Sequence, residues 1–178
     1  SCEILRCTFT ANESKTGGAL SCYTGTTGHA TAIAVTASTF AGNNPLDGES
    51  AGSKGGAVYV WCEVNETSTA SVRFVNDTFF QNQSETGGAM YLEASGVPEE
   101  FMVNPAALEL TSLTVYGNAA SVAAGGVLFD GFKEAVVRNN ILSGNVVTAP
   151  NFMGRIDVDY ANDATLKSDN GFNLVGTS

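Results

Sequence analysis

The densest run of ionisable residues is "GRIDVDYANDATLKSDNG" near the C-terminal end, where Arg155 is followed by Asp157, Asp159, Asp163 and Asp169. Two chemistries on polysaccharides would use such a group. A lyase needs several acids around Ca²⁺ and a neighbouring Arg or Lys to take the proton. An inverting hydrolase needs one carboxyl as acid and another as base. Asp157 and Asp159 share one face of a strand, since side chains alternate with a period of two, and that face could hold Ca²⁺. Against this, no Asp-Asp pair occurs in the chain. An acidic protein also places runs of this kind at solvated edges.

The only histidine, His29 in "TGTTGHAT", sits in a turn with no acid or nucleophile near it in sequence to orient it. A Ser-His-Asp or Cys-His arrangement therefore has no support. The four cysteines, Cys2, Cys7, Cys22 and Cys62, contain no Cys-x-x-Cys pair, and His29 lies too far in sequence from any pair of them to suggest zinc. No resident cofactor is expected. The Gly-Gly pairs lack the Lys-Ser/Thr and the following helix of a phosphate-binding loop.

Composition narrows the partners. The chain has 178 residues, 8 Lys and Arg against 18 Asp and Glu, and a net charge of −10. A nucleic-acid backbone binder needs a basic surface, which is missing here. No apolar run is long enough to span a bilayer. Four Asn-x-Ser/Thr sequons, at Asn12, Asn65, Asn76 and Asn82, accompany the even cysteine number and the acidity. Together they predict an extracellular or cell-surface location. The opening Ser1-Cys2 predicts a processed product or a segment of a larger protein.

What must position any such residues is a repeat. "CTFTAN", "STFAGN", "DTFFQN", "LTVYGN" and "NILSGN" each place Phe9, Phe40, Phe79, Val115 or Leu142 three residues before Asn12, Asn43, Asn82, Asn118 or Asn145. The first four are followed by "GGALSC", "GGAVYVWC", "GGAMYL" and "GGVLFD". Alternating runs such as "TAIAVTA" and "ASVRFV" precede most of them. Units of three short strands, roughly thirty to forty residues apart, predict a three-sided solenoid with loops such as "NNPLDGESAGSK" at its corners. The Phe column should stack inward at the strand spacing of about 4.8 Å. Asn should take the left-handed corner and form an amide ladder, and the Gly pair should permit a positive-φ turn.

These paired elements resemble the repeats of the polymorphic outer-membrane proteins, surface autotransporters whose passenger domains are right-handed parallel β-helices. The closing "SDNGFNLVGTS" resembles the tail of pectin-lyase-like β-helix proteins of cell surfaces. The resemblance implies an all-β, right-handed parallel β-helix of about five coils and an adhesive or structural role. It does not extend to a membrane barrel. The expected organisation is a single domain over residues 1–178. The same fold hosts pectate lyases and polygalacturonases, so a polysaccharide lyase or glycoside hydrolase is the alternative. The residues favour the non-catalytic protein.

Outward positions carry the functional expectation. If Leu20, Val58, Met90 and Leu128 point inward, Ser21, Tyr59, Tyr91 and Phe129 point outward, with Tyr23, Trp61 and Glu93 two places on. The expected ligand-binding ribbon is Tyr59, Trp61, Tyr91 and Phe129, suited to a protein partner or a glycan. The competing view is that a loop over residues 96–110 covers it. Open strand edges at the ends predict end-to-end assembly. Cys22 and Cys62 share strand parity on neighbouring coils and are the expected disulfide. Asn65 and Asn76 are the expected glycosylation sites, because Asn12 and Asn82 are also ladder positions.

Overall fold

The computed structural model describes residues 1–25, 30–46, 50–65, 67–96, 106–132, 134–148, 160–162 and 174–176. Regular structure among them is entirely β. In chain order the strands are β1 (Cys2–Leu5), β2 (Thr8–Thr10), β3 (Leu20–Gly25), β4 (Ala30–Thr36), β5 (Thr39–Ala41) and β6 (Val58–Glu63). There follow β7 (Thr69–Val75), β8 (Thr78–Phe80), β9 (Gln83–Thr86), β10 (Met90–Ser95), β11 (Ala106–Thr111), β12 (Thr114–Tyr116), β13 (Ala119–Ala123) and β14 (Val127–Asp130). The last are β15 (Glu134–Arg138), β16 (Ile141–Ser143), β17 (Val146–Val147), β18 (Tyr160–Asn162) and β19 (Leu174–Gly176).

Consecutive strands pair with the next repeat rather than with each other. One sheet runs β1-β4-β7-β11-β15, a second β3-β6-β10-β14-β18, a third β2-β5-β8-β12-β16-β19, and a short fourth β9-β13-β17. Every strand pairing is parallel. Local sequence accounts for the strands. In "TASVRFV" of β7, Ala70, Val72 and Phe74 are buried while Thr69, Ser71 and Arg73 are exposed, the alternation of a half-buried strand. Inward residues of all the long sheets merge into one apolar cluster that includes Val35, Phe40, Val60, Phe74, Phe79, Leu92 and Phe129.

The Phe column forms as expected. Phe9 stacks on Phe40 with ring centroids 4.8 Å apart, and Phe40 on Phe79 at 4.8 Å, then Val115 and Leu142 continue the column in register. The Asn column is a ladder. In Asn12, Asn43, Asn82 and Asn118 both the backbone N–H and the side-chain Nδ2 donate to the Oδ1 of the next, ending on Asn145, at 2.8–3.1 Å. From Asn43 onward, Nδ2 also donates back to the carbonyl of Phe9, Phe40, Phe79 or Val115. From Asn43 onward each amide thereby satisfies an N–H and a carbonyl of the preceding repeat, and up to Asn118 it also bonds the side chain of the next rung.

The left-handed corner residue is not the Asn. It is the residue before it: Ala11 (φ 52°), Gly42, Gln81 (φ 53°), Gly117 and Gly144. That turn swings the following Asn inward. A second left-handed column, Arg6, Ala37, Asn76, Ser112 and Asn139, precedes β2, β5, β8, β12 and β16. The residue after it again bonds the neighbouring repeat. Ser38 Oγ accepts from Cys7 N–H, Asp77 Oδ1 from Ser38 N–H, and Asn140 Oδ1 from Leu113 N–H.

The Gly-Gly pairs meet two separate demands. Gly17, Gly55 and Gly87 have φ near +60°, and a Cβ on Gly55 would lie 1.9 Å from the Val58 carbonyl oxygen. Gly56 and Gly88 instead face the next repeat, where a Cβ on Gly88 would lie 2.1 Å from the Gly125 oxygen. In the fourth unit the equivalent pair is Ala124-Gly125, not Gly125-Gly126. Ala124 has φ 51°, and Gly88 N–H bonds its carbonyl.

That one-residue displacement corrects the expected parity of the last strand. Val127, not Leu128, pairs with Met90 and points inward, and Phe129 pairs with Leu92 as a fully buried core residue. Phe129 is therefore not part of an outward ribbon. The expected disulfide is also corrected, since all four cysteines are free thiols. Cys22 lies opposite Val60, and Cys62 opposite Thr24. Two residues of stagger on adjacent strands separates the Cα atoms by about 8 Å, beyond the span of a disulfide. Burial pushes both thiols up from their ordinary pKa, so they stay protonated at neutral pH.

Candidate functional site

The outward face of β3, β6, β10 and β14 carries the surviving part of the predicted ribbon. Strand register fixes it as a grid. One row is Ser21, Tyr59, Tyr91 and Leu128; the next is Tyr23, Trp61, Glu93 and Asp130. In a third row Gly25, Glu63 and Ser95 lie side by side. Parallel pairing without a stagger brings side chains from sequence positions some 30 to 40 residues apart into contact.

Tyr59 and Tyr91 stack with ring centroids 5.8 Å apart. Lys54, the residue before the second Gly pair, reaches over them. Its Nζ is 4.6 Å from the Tyr91 ring centroid and 5.8 Å from that of Tyr59, and it pairs with Glu93 Oε2 at 3.2 Å. This cover leaves Tyr91 buried and Tyr59 half-buried. Burial and the Glu93 charge raise both phenols, against the pull of Lys54. Burial draws the Lys54 ammonium down, but Tyr91 and Glu93 outweigh it and its pKa is raised. The cluster therefore stays as neutral phenols under a cation across physiological pH.

Beside them, among the described residues, lie exposed Tyr23 and half-buried Trp61. They meet edge to face with centroids 4.9 Å apart, and Tyr23 is 58% exposed. Trp61 Nε1 donates to Ser95 Oγ at 2.8 Å, which fixes the indole across two repeats. Tyr23 donates its hydroxyl to Glu63 Oε2 at 2.6 Å, and this bond raises the phenol pKa. Glu63 and Glu93 border the pair and Asp130 lies one strand beyond Glu93, with Lys54 pairing with Glu93. The surface offers an apolar edge, hydrogen-bond acceptors and negative charge.

Of the four residues expected to bind ligand, Tyr59, Trp61 and Tyr91 come together, and Phe129 does not join them. Lys54, Glu63 and Asp130 were missed. An alignment placing Ala124 rather than Gly125 beneath Gly87 would have assigned Leu128 and Asp130 to this face. Neither a protein-family model, nor a curated protein, nor a solved structure matches the chain.

The acidic group Asp157, Asp159, Asp163 and Asp169, with Arg155, lies outside the described residues, as does His29. Among the described residues no cluster of three or more His, Cys, Asp or Glu is arranged to hold a metal ion. No helix among them is long and apolar enough to cross a membrane. Of the sequons, Asn76 is exposed and Asn65 half-exposed, with Asn65 Oδ1 accepting from both the N–H and the Oγ1 of Thr67 at 3.0 Å. Asn82 is fully buried.

Proposed function

We propose that the chain is a right-handed parallel β-helix serving as a non-catalytic surface protein outside the cell, adhesive or structural in role. The recurrence of strands in three long parallel sheets, each neighbour one repeat away, supports the coiled architecture. The likeness to polymorphic outer-membrane repeats supports the surface role. The observation that carries the functional reading is the pair of exposed Tyr23 and half-buried Trp61, with Glu63 and Glu93 beside it and Asp130 one strand further on. Rigid aromatics held on strands and rimmed by acids suit a protein segment bearing Lys or Arg, through edge contacts, cation–π attraction and charge pairing.

Among the described residues β1, β2 and β3 each pair on one side only, and such edges would support end-to-end stacking. Sedimentation velocity over a wide concentration range tests this, and a monodisperse monomer throughout would count against stacking.

The binding role is tested on an array of random peptides, run beside a polysaccharide-degradation screen with and without Ca²⁺. Enrichment of Lys- or Arg-bearing peptides, lost in the Tyr23→Ala/Trp61→Ala double variant, is expected. Release of new reducing ends or unsaturated uronates from any polysaccharide would overturn the non-catalytic reading.

A further inference from the structure

A second outward feature lies on a different sheet and does not depend on the Tyr23–Trp61 face. In the sheet β2-β5-β8-β12-β16-β19, one outward column reads Thr10, Ala41, Phe80, Tyr116, Ser143 and Gly176. Phe80 and Tyr116 stack with centroids 5.7 Å apart and planes 6° from parallel. The stack stops at Tyr116, because Ser143 and Gly176 follow it where another ring would sit. Tyr116 is 52% exposed.

Beside it, at the left-handed corner, opens a groove of about 840 Å³ lined in part by Gln81, Gln83, Tyr116, Gly117, Ser143 and Gly144. The glycines hold it open. A Cβ on Gly144 would stand 3.4 Å from Tyr116 Cε2, so a longer side chain there would occupy the space against the ring. Gln81 carries the one long polar side chain in its column, whose other non-glycine member is Ala11. It adopts φ 53° where Gly42, Gly117 and Gly144 take the same conformation without a Cβ. The strain places an amide at the groove. None of the lining residues carries a charge at neutral pH.

We infer that this groove is a subsite for one ring of a neutral saccharide, seated on the side of the Tyr116 ring away from Phe80, above Ser143. A sugar ring offers an apolar face for an aromatic and a rim of hydroxyls that both donate and accept. The Gln81 and Gln83 amides and the Ser143 hydroxyl can answer that rim in both senses. A uronate or sulfated glycan would bring negative charge to a chain of net charge −10 with no cation in the groove to meet it.

The test is saturation-transfer NMR and calorimetry with neutral hexose and N-acetylhexosamine oligosaccharides, alongside oligogalacturonate and a Lys-rich peptide as contrasts. At least one neutral oligosaccharide should bind. Tyr116→Ala should weaken it about tenfold, and Gly144→Gln, which fills the space, at least as much. Tyr23→Ala should leave it unchanged, so loss of the peptide-binding face and loss of this subsite are distinguishable. Tyr116 is half-exposed, and its variant should keep the parent near-UV spectrum and denaturation midpoint. Absence of binding by any neutral oligosaccharide, binding indifferent to Tyr116→Ala, or preference for the uronate or the peptide at this groove would overturn the assignment.

Discussion

The Asp77 carboxylate accepts the backbone N–H of Ser38, one repeat earlier, at 2.7 Å. It does the work that Asn140 does for Leu113 with a neutral amide at 2.8 Å. Asp77 is 1% exposed, and burial raises its pKa from 3.8 to about 6 in spite of the bonds from Ser38 and Val75. The native state thus holds this proton more tightly than the unfolded chain does. Its contribution to stability is greatest below about pH 4, falls as pH rises through about 6, and levels off above that. At about 1.4 kcal/mol per tenfold in proton affinity, the ionised group costs the fold about 3 kcal/mol.

Asp77→Asn should therefore stabilise the protein at pH 7 and flatten the decline between pH 4 and 6. The gain should be about 1–2 kcal/mol, because the N–H of Val75 loses its acceptor. Urea denaturation at several pH values measures both, and an unchanged slope between pH 4 and 6 would sink the assignment to Asp77.

The ladder should be most sensitive in its middle. Asn82→Ala removes the acceptor of the Asn43 N–H and Nδ2 and the donor to the Phe40 carbonyl, all in the interior. Leaving several buried groups unpaired should cost about 3–5 kcal/mol. Asn12 only donates to the next rung and is half-buried, so Asn12→Ala should cost about 1 kcal/mol. Equal midpoint shifts for the two variants would show that the rungs do not act as a ladder.

Which of these features the sequence could disclose depended on how local their cause is. Phe-x-x-Asn is a short, rigid spacing, so the stack of Phe9, Phe40 and Phe79 and the inward Asn column could be read from it directly. Gly-Gly is less informative, because its two glycines answer different constraints. The first needs positive φ, and at Gly55 also room before the Val58 oxygen, though Ala124 takes that φ in the fourth unit; the second needs room beside the next repeat, where a Cβ on Gly125 would lie 2.4 Å from Val146 N. A match on letters alone placed the pair one residue late and turned Phe129 from core to surface. The Cys22–Cys62 pairing failed for a similar reason, since parity was right and register was two residues off. Lys54 over Tyr91 depends on a side chain's reach between repeats, which no periodicity encodes.

Those two roles of glycine make a direct comparison. Gly88→Ala would put a Cβ 2.1 Å from the Gly125 oxygen and 2.5 Å from the Ala119 oxygen, backbone atoms that cannot rotate away. The sheets must part locally, at a cost of more than about 3 kcal/mol or a failure to fold. Gly42→Ala meets nothing within 4 Å. Ala11 and Gln81 already hold its conformation in the same column, so the cost should be only about 1 kcal/mol of left-handed strain. Thermal denaturation of the pair measures this, and a Gly88→Ala variant as stable as Gly42→Ala would remove the close-approach argument.

Glycan occupancy after expression through a eukaryotic secretory pathway should follow the same division between surface and ladder. Asn82 donates both amide hydrogens inside the protein, to Asn118 Oδ1 at 2.9 Å and to the Phe40 carbonyl at 3.0 Å. A sugar attached there before folding would leave the rung unable to close, and such chains should be lost from the folded fraction. Asn76 projects outward at a corner, and Asn65 engages Thr67 through Oδ1 only, leaving Nδ2 out of that turn. Glycopeptide mass spectrometry of the secreted, folded protein should find sugar at Asn65 and Asn76, little at Asn12 and none at Asn82. Substantial occupancy of Asn82 in material with the parent denaturation midpoint would mean that the rung is dispensable.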